Sequence, residues 1–286
     1  MLLTRLRRRW CNSKLTGMSK SGSDSITYNR DAGADFSAPS VVVAPHDGAG
    51  NIRIATWVGI FIAAALPLVS PFLPLIGPPA DSGVHITKVA GLTVQFAVDS
   101  AALGHFVANV ERGIVFKWVC SLALVLLVVL WERKPLASIG LRRVSWRDLV
   151  VVIGGYLVVF GIGHLLDLVL PKHVPSDVQL ATMLFPFPLR AAMVLTAAVT
   201  EEIESRGYLI ERLETITGST SLAAILAYLV FLLEHAASWD IAHALRITLW
   251  TTALIVLYLW RRSLPACISL HFLADATALL AVPKIR

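Results

Sequence analysis

Charge is scarce in this sequence: Asp, Glu, Lys and Arg make up 15% of its 286 residues, against about a quarter in a typical soluble domain. That shortage excludes intrinsic disorder over most of the chain and argues against an ordinary soluble enzyme. Cysteine is scarce as well. Cys11, Cys120 and Cys267 form no C-x-x-C pair and no metal-ligand spacing, so no disulfide framework is expected. An apolar run is missing after Arg5, Arg7, Arg8 and Arg9, and no A-x-A-like site precedes the polar stretch, which argues against a cleavable signal peptide. What is present in quantity is apolar. Hydrophobic residues reach 56% and mean hydropathy is +0.70, which points to lipid as the solvent. The composition predicts an all-α, polytopic transmembrane helix bundle. The net charge of +6 is read as the cytoplasmic bias of membrane proteins, and no nucleic-acid partner is expected.

Three regions follow from the pattern of residues. Residues 1–50 form a disordered, basic N-terminal tail rich in Ser, Gly, Asp and Asn. Residues 51–135 form a membrane hairpin with an external loop, and residues 136–286 the membrane core. Spans of about 20 mostly apolar residues are expected at 54–76, 114–131, 149–170, 189–213, 222–237, 247–260 and 264–282. The first contains Pro67, Pro71 and Pro74 and should kink or end early. The segment 84–110 is apolar but carries His85, Lys88, Gln95, Asp99, His105 and Asn109, with strand-like alternation at Val94, Phe96 and Val98. It is read as an external loop or interfacial helix. The span count is therefore about seven, with eight as the alternative. Arg133, Lys134, Arg142, Arg143 and Arg147 crowd the loop after span two, while only Lys172 follows span three. That asymmetry puts the former loop and the N-terminus in the cytoplasm.

Several ionisable residues stand inside these apolar stretches, where each costs several kcal/mol unless paired, so they are functional candidates by default. Glu201, Glu202 and Arg206 lie in span four, Glu234 and His235 in span five, His271 and Asp275 in span seven. Glu202 and Arg206 are i and i+4, the favoured order for a helical ion pair. Glu201 points about 100° away and is open to other partners. Phe231 and His235 share the i, i+4 spacing, so the ring can pack beside the imidazole. His271 and Asp275 repeat it, which lets one orient the other. Counted inward at 1.5 Å per residue, Glu201, His235, His271 and Asp275 fall about 13 to 22 Å deep, in one band near the bilayer centre.

These residues carry a family pattern. Glu201-Glu202-x-x-x-Arg206, Phe231-x-x-x-His235 and His271-x-x-x-Asp275 stand in the order of the three motifs of the CPBP intramembrane endopeptidases. That group is named for CAAX prenyl proteases and bacteriocin-processing proteins and includes the Abi-type proteins. The chain resembles it over about residues 136–282, including the Gly207 and Tyr208 that follow Arg206. The resemblance implies a glutamate-type hydrolysis of a peptide bond in a membrane-associated protein or peptide, with catalytic residues on three helices and no cofactor. Glu201 is then the candidate general base, holding a water with His235. Glu202, tied to Arg206, orients His271 or the base. His271 and Asp275 stabilise the oxyanion or protonate the leaving amine. The expected partners are the lipid bilayer and the substrate, and the expected location is a bacterial plasma membrane, as an integral multi-pass protein.

Other readings stand beside this one. Glu201 with two histidines and a water makes a plausible Zn2+ set, though no H-E-x-x-H is present. Ser205 stands where the family commonly has an aromatic residue, and Asp275 where Asn is frequent, so a catalytically silent scaffold or bacteriocin-immunity protein of the same fold is an alternative. A proton-relay transporter is a third, disfavoured by the lack of an internal repeat. Glu211, Arg212 and Glu214 read as a wet interfacial turn, and His164 and Asp167 as solvated ends of span three.

Overall fold

The computed structural model describes residues 54–69, 81–90, 93–169, 176–235 and 241–281. The expected tail, 1–50, lies outside them. The first helix, α1 (Ile54–Val69), passes through π-helical turns at Phe61–Ala65 just before Pro67, which has no amide hydrogen to continue an α-helical ladder. Its expected continuation to 76 falls outside the described residues.

The segment 84–110 differs from both forms expected of it. Residues Val84–Ala90 (β1) and Thr93–Val98 (β2) pair as an antiparallel hairpin, with Val84 opposite Val98 and an irregularity between Ile86 and Lys88. The alternation at Val94, Phe96 and Val98 thus marks a real strand, an exception to the all-α expectation in a mostly helical chain. Asp99 then caps the next helix, its side chain accepting from the amides of Ala101 and Ala102 at 2.9 and 3.1 Å. From that cap α2 runs unbroken over Ser100–Trp131. Residues 100–110 are therefore its first three turns and not a loop. At 32 residues α2 is about 48 Å long, more than the bilayer core of about 30 Å.

A 3-10 turn, Leu136–Ile139, leads to α3 (Trp146–Val169). Ser145 opens α3 by a reciprocal pair of bonds, its amide to Asp148 Oδ2 at 2.9 Å and the Asp148 amide to its hydroxyl at 3.2 Å. Short α4 (Asp177–Leu184) begins on a Ser176/Gln179 capping box. It stops at Phe185 and Pro186, both extended, because a residue before proline avoids helical geometry and Pro186 has no amide to donate. The chain turns there by 119° into α5 (Phe187–Thr217), which contains π-helical turns at Ala197–Glu201 and Ile203–Ile210. Gly218, with φ of +65°, ends it. Then follow α6 (Thr220–His235), α7 (Ile241–Arg261) and α8 (Leu264–Leu279).

Among the described residues α2 and α3 are long and apolar enough to cross a bilayer, and α4 with α5 makes a third if the bent pair is one span. Shorter apolar helices are α1, α6 and α8. The outer face of α3 exposes Leu149, Val150, Ile153, Leu157, Val158 and Leu165, a surface suited to lipid and not to water. The chain is a membrane protein. Its main core joins α1, α2, α5, α7 and α8 through residues such as Ala55, Leu124, Tyr208, Leu254 and Cys267. A second cluster, Val84, Phe106, Leu180, Ala181 and Phe185, fastens the hairpin and α4 to the start of α2.

Candidate active site

Motif one sits on the π-helical part of α5, a type of turn that recurs at functional sites because it re-aims side chains. Glu202 and Arg206 are fully buried, and the guanidinium Nη1 donates to Glu202 Oε1 at 3.0 Å. The same oxygen accepts from His271 Nδ1 of α8 at 2.8 Å. On its far side, His271 Nε2 faces Asp275 Oδ2 at 3.4 Å. The result is a continuous row, Arg206, Glu202, His271, Asp275, that ties α5 to α8. The expected i, i+4 pairs are formed, and Glu202 is hydrogen-bonded to His271.

Motif two closes on the row from α6. The Arg206 guanidinium lies 4.7 Å from the centroid of the Phe231 ring, within range of a cation–π contact. Phe231 also packs on the His235 imidazole at 4.6 Å between centroids. His235 Nδ1 lies 2.9 Å from the Phe231 carbonyl oxygen. A carbonyl only accepts, so Nδ1 carries the hydrogen and Nε2 of the neutral ring is the acceptor. Both His235 and His271 are near enough to act electrostatically on the Glu201 carboxylate.

Glu201 is buried and has a partner that residue spacing did not reveal. Lys117 Nζ of α2 donates to Glu201 Oε1 at 2.7 Å. One helical turn on, Ser121 Oγ donates to Glu204 Oε1 at 3.0 Å, and Trp118 Nε1 donates to Thr196 Oγ1 at 2.9 Å. A narrow cavity of about 10 Å³, room for about one water, is bordered by Glu201, Glu204, Ser205, Phe231 and Glu234. Among the described residues no three His, Cys, Asp or Glu side chains converge where one metal ion would reach them.

Beyond the site, Arg212 is buried and grips Glu132, the residue that caps the end of α2, Nε to Oε2 at 2.9 Å and Nη2 to Oε2 at 2.6 Å. Tyr208 donates to the same carboxylate at 2.8 Å. This corrects the reading of Arg212 as part of a wet turn: its partner lies 80 residues away and leaves no local trace. Glu211 and Glu214 are instead both bound by Arg262, at 2.7 and 2.8 Å. Asp167 is held by Arg246 of α7, whose Nε donates at 2.9 Å.

The helices and the exposed apolar face define a membrane protein in which the three motifs are brought together. Residues 182–277 match the family model Rce1-like, type II CAAX prenyl endopeptidase, a protease family and the same group that the three motifs resemble. All six candidate residues fall inside that stretch. No match was found among curated proteins or among solved structures.

Proposed function

We propose that this protein is an intramembrane endopeptidase that hydrolyses a peptide bond of a membrane-associated protein or peptide without a covalent intermediate. The observation that carries the proposal is the row Arg206, Glu202, His271, Asp275 beside Glu201 and His235, with six ionisable or imidazole groups from three apolar helices gathered at one place. Glu201 takes a proton from a water held with His235 Nε2, and the water oxygen attacks the substrate carbonyl. His271, its Nδ1 hydrogen locked on Glu202, acts as the imidazolium and turns the second hydrogen, on Nε2 beside Asp275, to the developing oxyanion. The C–N bond then breaks, the proton passes to the leaving amine, and a new carboxylate and amine depart. No metal enters these steps.

The proposal includes seven spans in a bacterial plasma membrane with the N-terminus inside, supported by the distribution of Arg and Lys. It also keeps the division into tail, N-terminal hairpin and core at residues 50 and 135. The test uses the full-length protein in liposomes with quenched fluorescent peptides, among them one ending in a farnesylated CAAX sequence and one spanning the bilayer. Wild type is expected to cleave. Glu201→Gln and His235→Ala are expected to lose about 10²- to 10⁴-fold in kcat while remaining folded. Equal cleavage by all three proteins, or none by any, would overturn the reading in favour of a silent scaffold. Loss of activity to a chelator, with recovery on adding Zn2+, would replace it with a metalloprotease.

A further inference from the structure

Lys117 stands at position 18 of the 32-residue α2, about 26 Å from its start and 21 Å from its end. A lysine at that depth is costly unless paired, and its ammonium is bonded to the candidate base at 2.7 Å. Glu204 and Glu234 are also near enough to act on it electrostatically. One carboxylate thus holds the cation directly and two more act on it at longer range. The face of α2 that carries Lys117 is pinned to α5 at two further points, Trp118 to Thr196 and Ser121 to Glu204, so the lysine stem cannot slide along the helix pair.

We propose that Lys117 is a positioning residue for hydrolysis, clamping Oε1 of Glu201 and supplying its counter-charge while Oε2 receives the proton of the attacking water. Fixing one oxygen fixes the plane of the carboxylate. A small misplacement of a reacting group costs about 10²-fold in rate, which sets the scale of the effect. This role rests on Glu201 being the base.

The test again uses the full-length protein in liposomes, with whichever fluorescent peptide the wild type cleaves. Lys117→Met and Lys117→Gln are expected to lower kcat about 100-fold with KM changed less than about threefold, and Lys117→Arg to recover most of that loss. A second reading needs no turnover: in protein labelled with ¹³C-glutamate, the infrared carboxylate band that disappears in Glu201→Gln should shift in Lys117→Met and stay near its wild-type position in Lys117→Arg. Unimpaired kcat in Lys117→Met, an unshifted band, or unfolding of both Met and Gln variants would overturn the role of Lys117, while a silent Glu201→Gln would leave the hydrolase reading standing. If the wild type cleaves nothing, the hydrolase reading falls and the role of Lys117 in hydrolysis falls with it.

Discussion

Glu202 carries more than one duty at a single oxygen: Oε1 accepts from Arg206 and from His271. Removing its charge strands a fully buried guanidinium, and breaking such a pair costs about 3–5 kcal/mol. Glu202→Gln is therefore expected to lower the thermal midpoint in detergent as well as activity, and Glu201→Gln, which takes the counter-charge from Lys117, to lower the midpoint less because the lysine side chain is 34% exposed. A midpoint for Glu202→Gln equal to the wild type would contradict the pairing. Asp275 is the contrasting case. Its side chain is 31% exposed, and Asp275→Asn supplies an amide donor that the carboxylate lacks. That variant is expected to fold like the wild type and to retain at least its kcat. The pairs within one helix, Glu202 with Arg206 and His271 with Asp275, were legible from spacing alone. The partners of Glu201 and Arg212 were not, because Lys117 and Glu132 lie 84 and 80 residues from them and periodicity reports only neighbours on one helix.

At the scale of elements, the contact of α1 with α5 depends on a missing side chain. A Cβ added at Gly59 would stand 2.0 Å from the Tyr208 hydroxyl oxygen, the group that binds Glu132. Gly59→Ala is expected to destabilise the protein by about 1–3 kcal/mol, the usual penalty for overpacking, measurable as a lower thermal midpoint with the family motifs untouched. The start of α3 offers a milder test. Ser145→Ala removes the hydroxyl that caps Asp148 and should cost about 1 kcal/mol. Helix centres were readable from apolar runs, and α3, α7 and α8 lie where they were expected. Helix starts were harder. The Asp99 cap and the hairpin before it were obscured by the polar residues of 84–110, and that misplaced start also hid the depth of Lys117.

For the whole molecule, the row of Arg and Lys between α2 and α3 and the Arg261–Arg262 corner between α7 and α8 belong on one side of the membrane under the seven-span topology. Single cysteines placed at Arg143 and at Arg262, in a background lacking the native ones, should be labelled by an impermeant maleimide only after the cytoplasmic face is opened; labelling from outside would refute that topology. Every polar link between α2 and α5 shares another property. Tyr208 with Glu132, Trp118 with Thr196, Arg212 with Glu132, Ser121 with Glu204 and Lys117 with Glu201 are separated by 76, 78, 80, 83 and 84 residues. At a synthesis rate of about 5–20 residues per second, α2 waits roughly 4 to 17 s for its partner to emerge from the ribosome. During that interval Lys117 sits in a nascent membrane segment without its counter-ion, so α2 is expected to insert stably only once α5 has arrived.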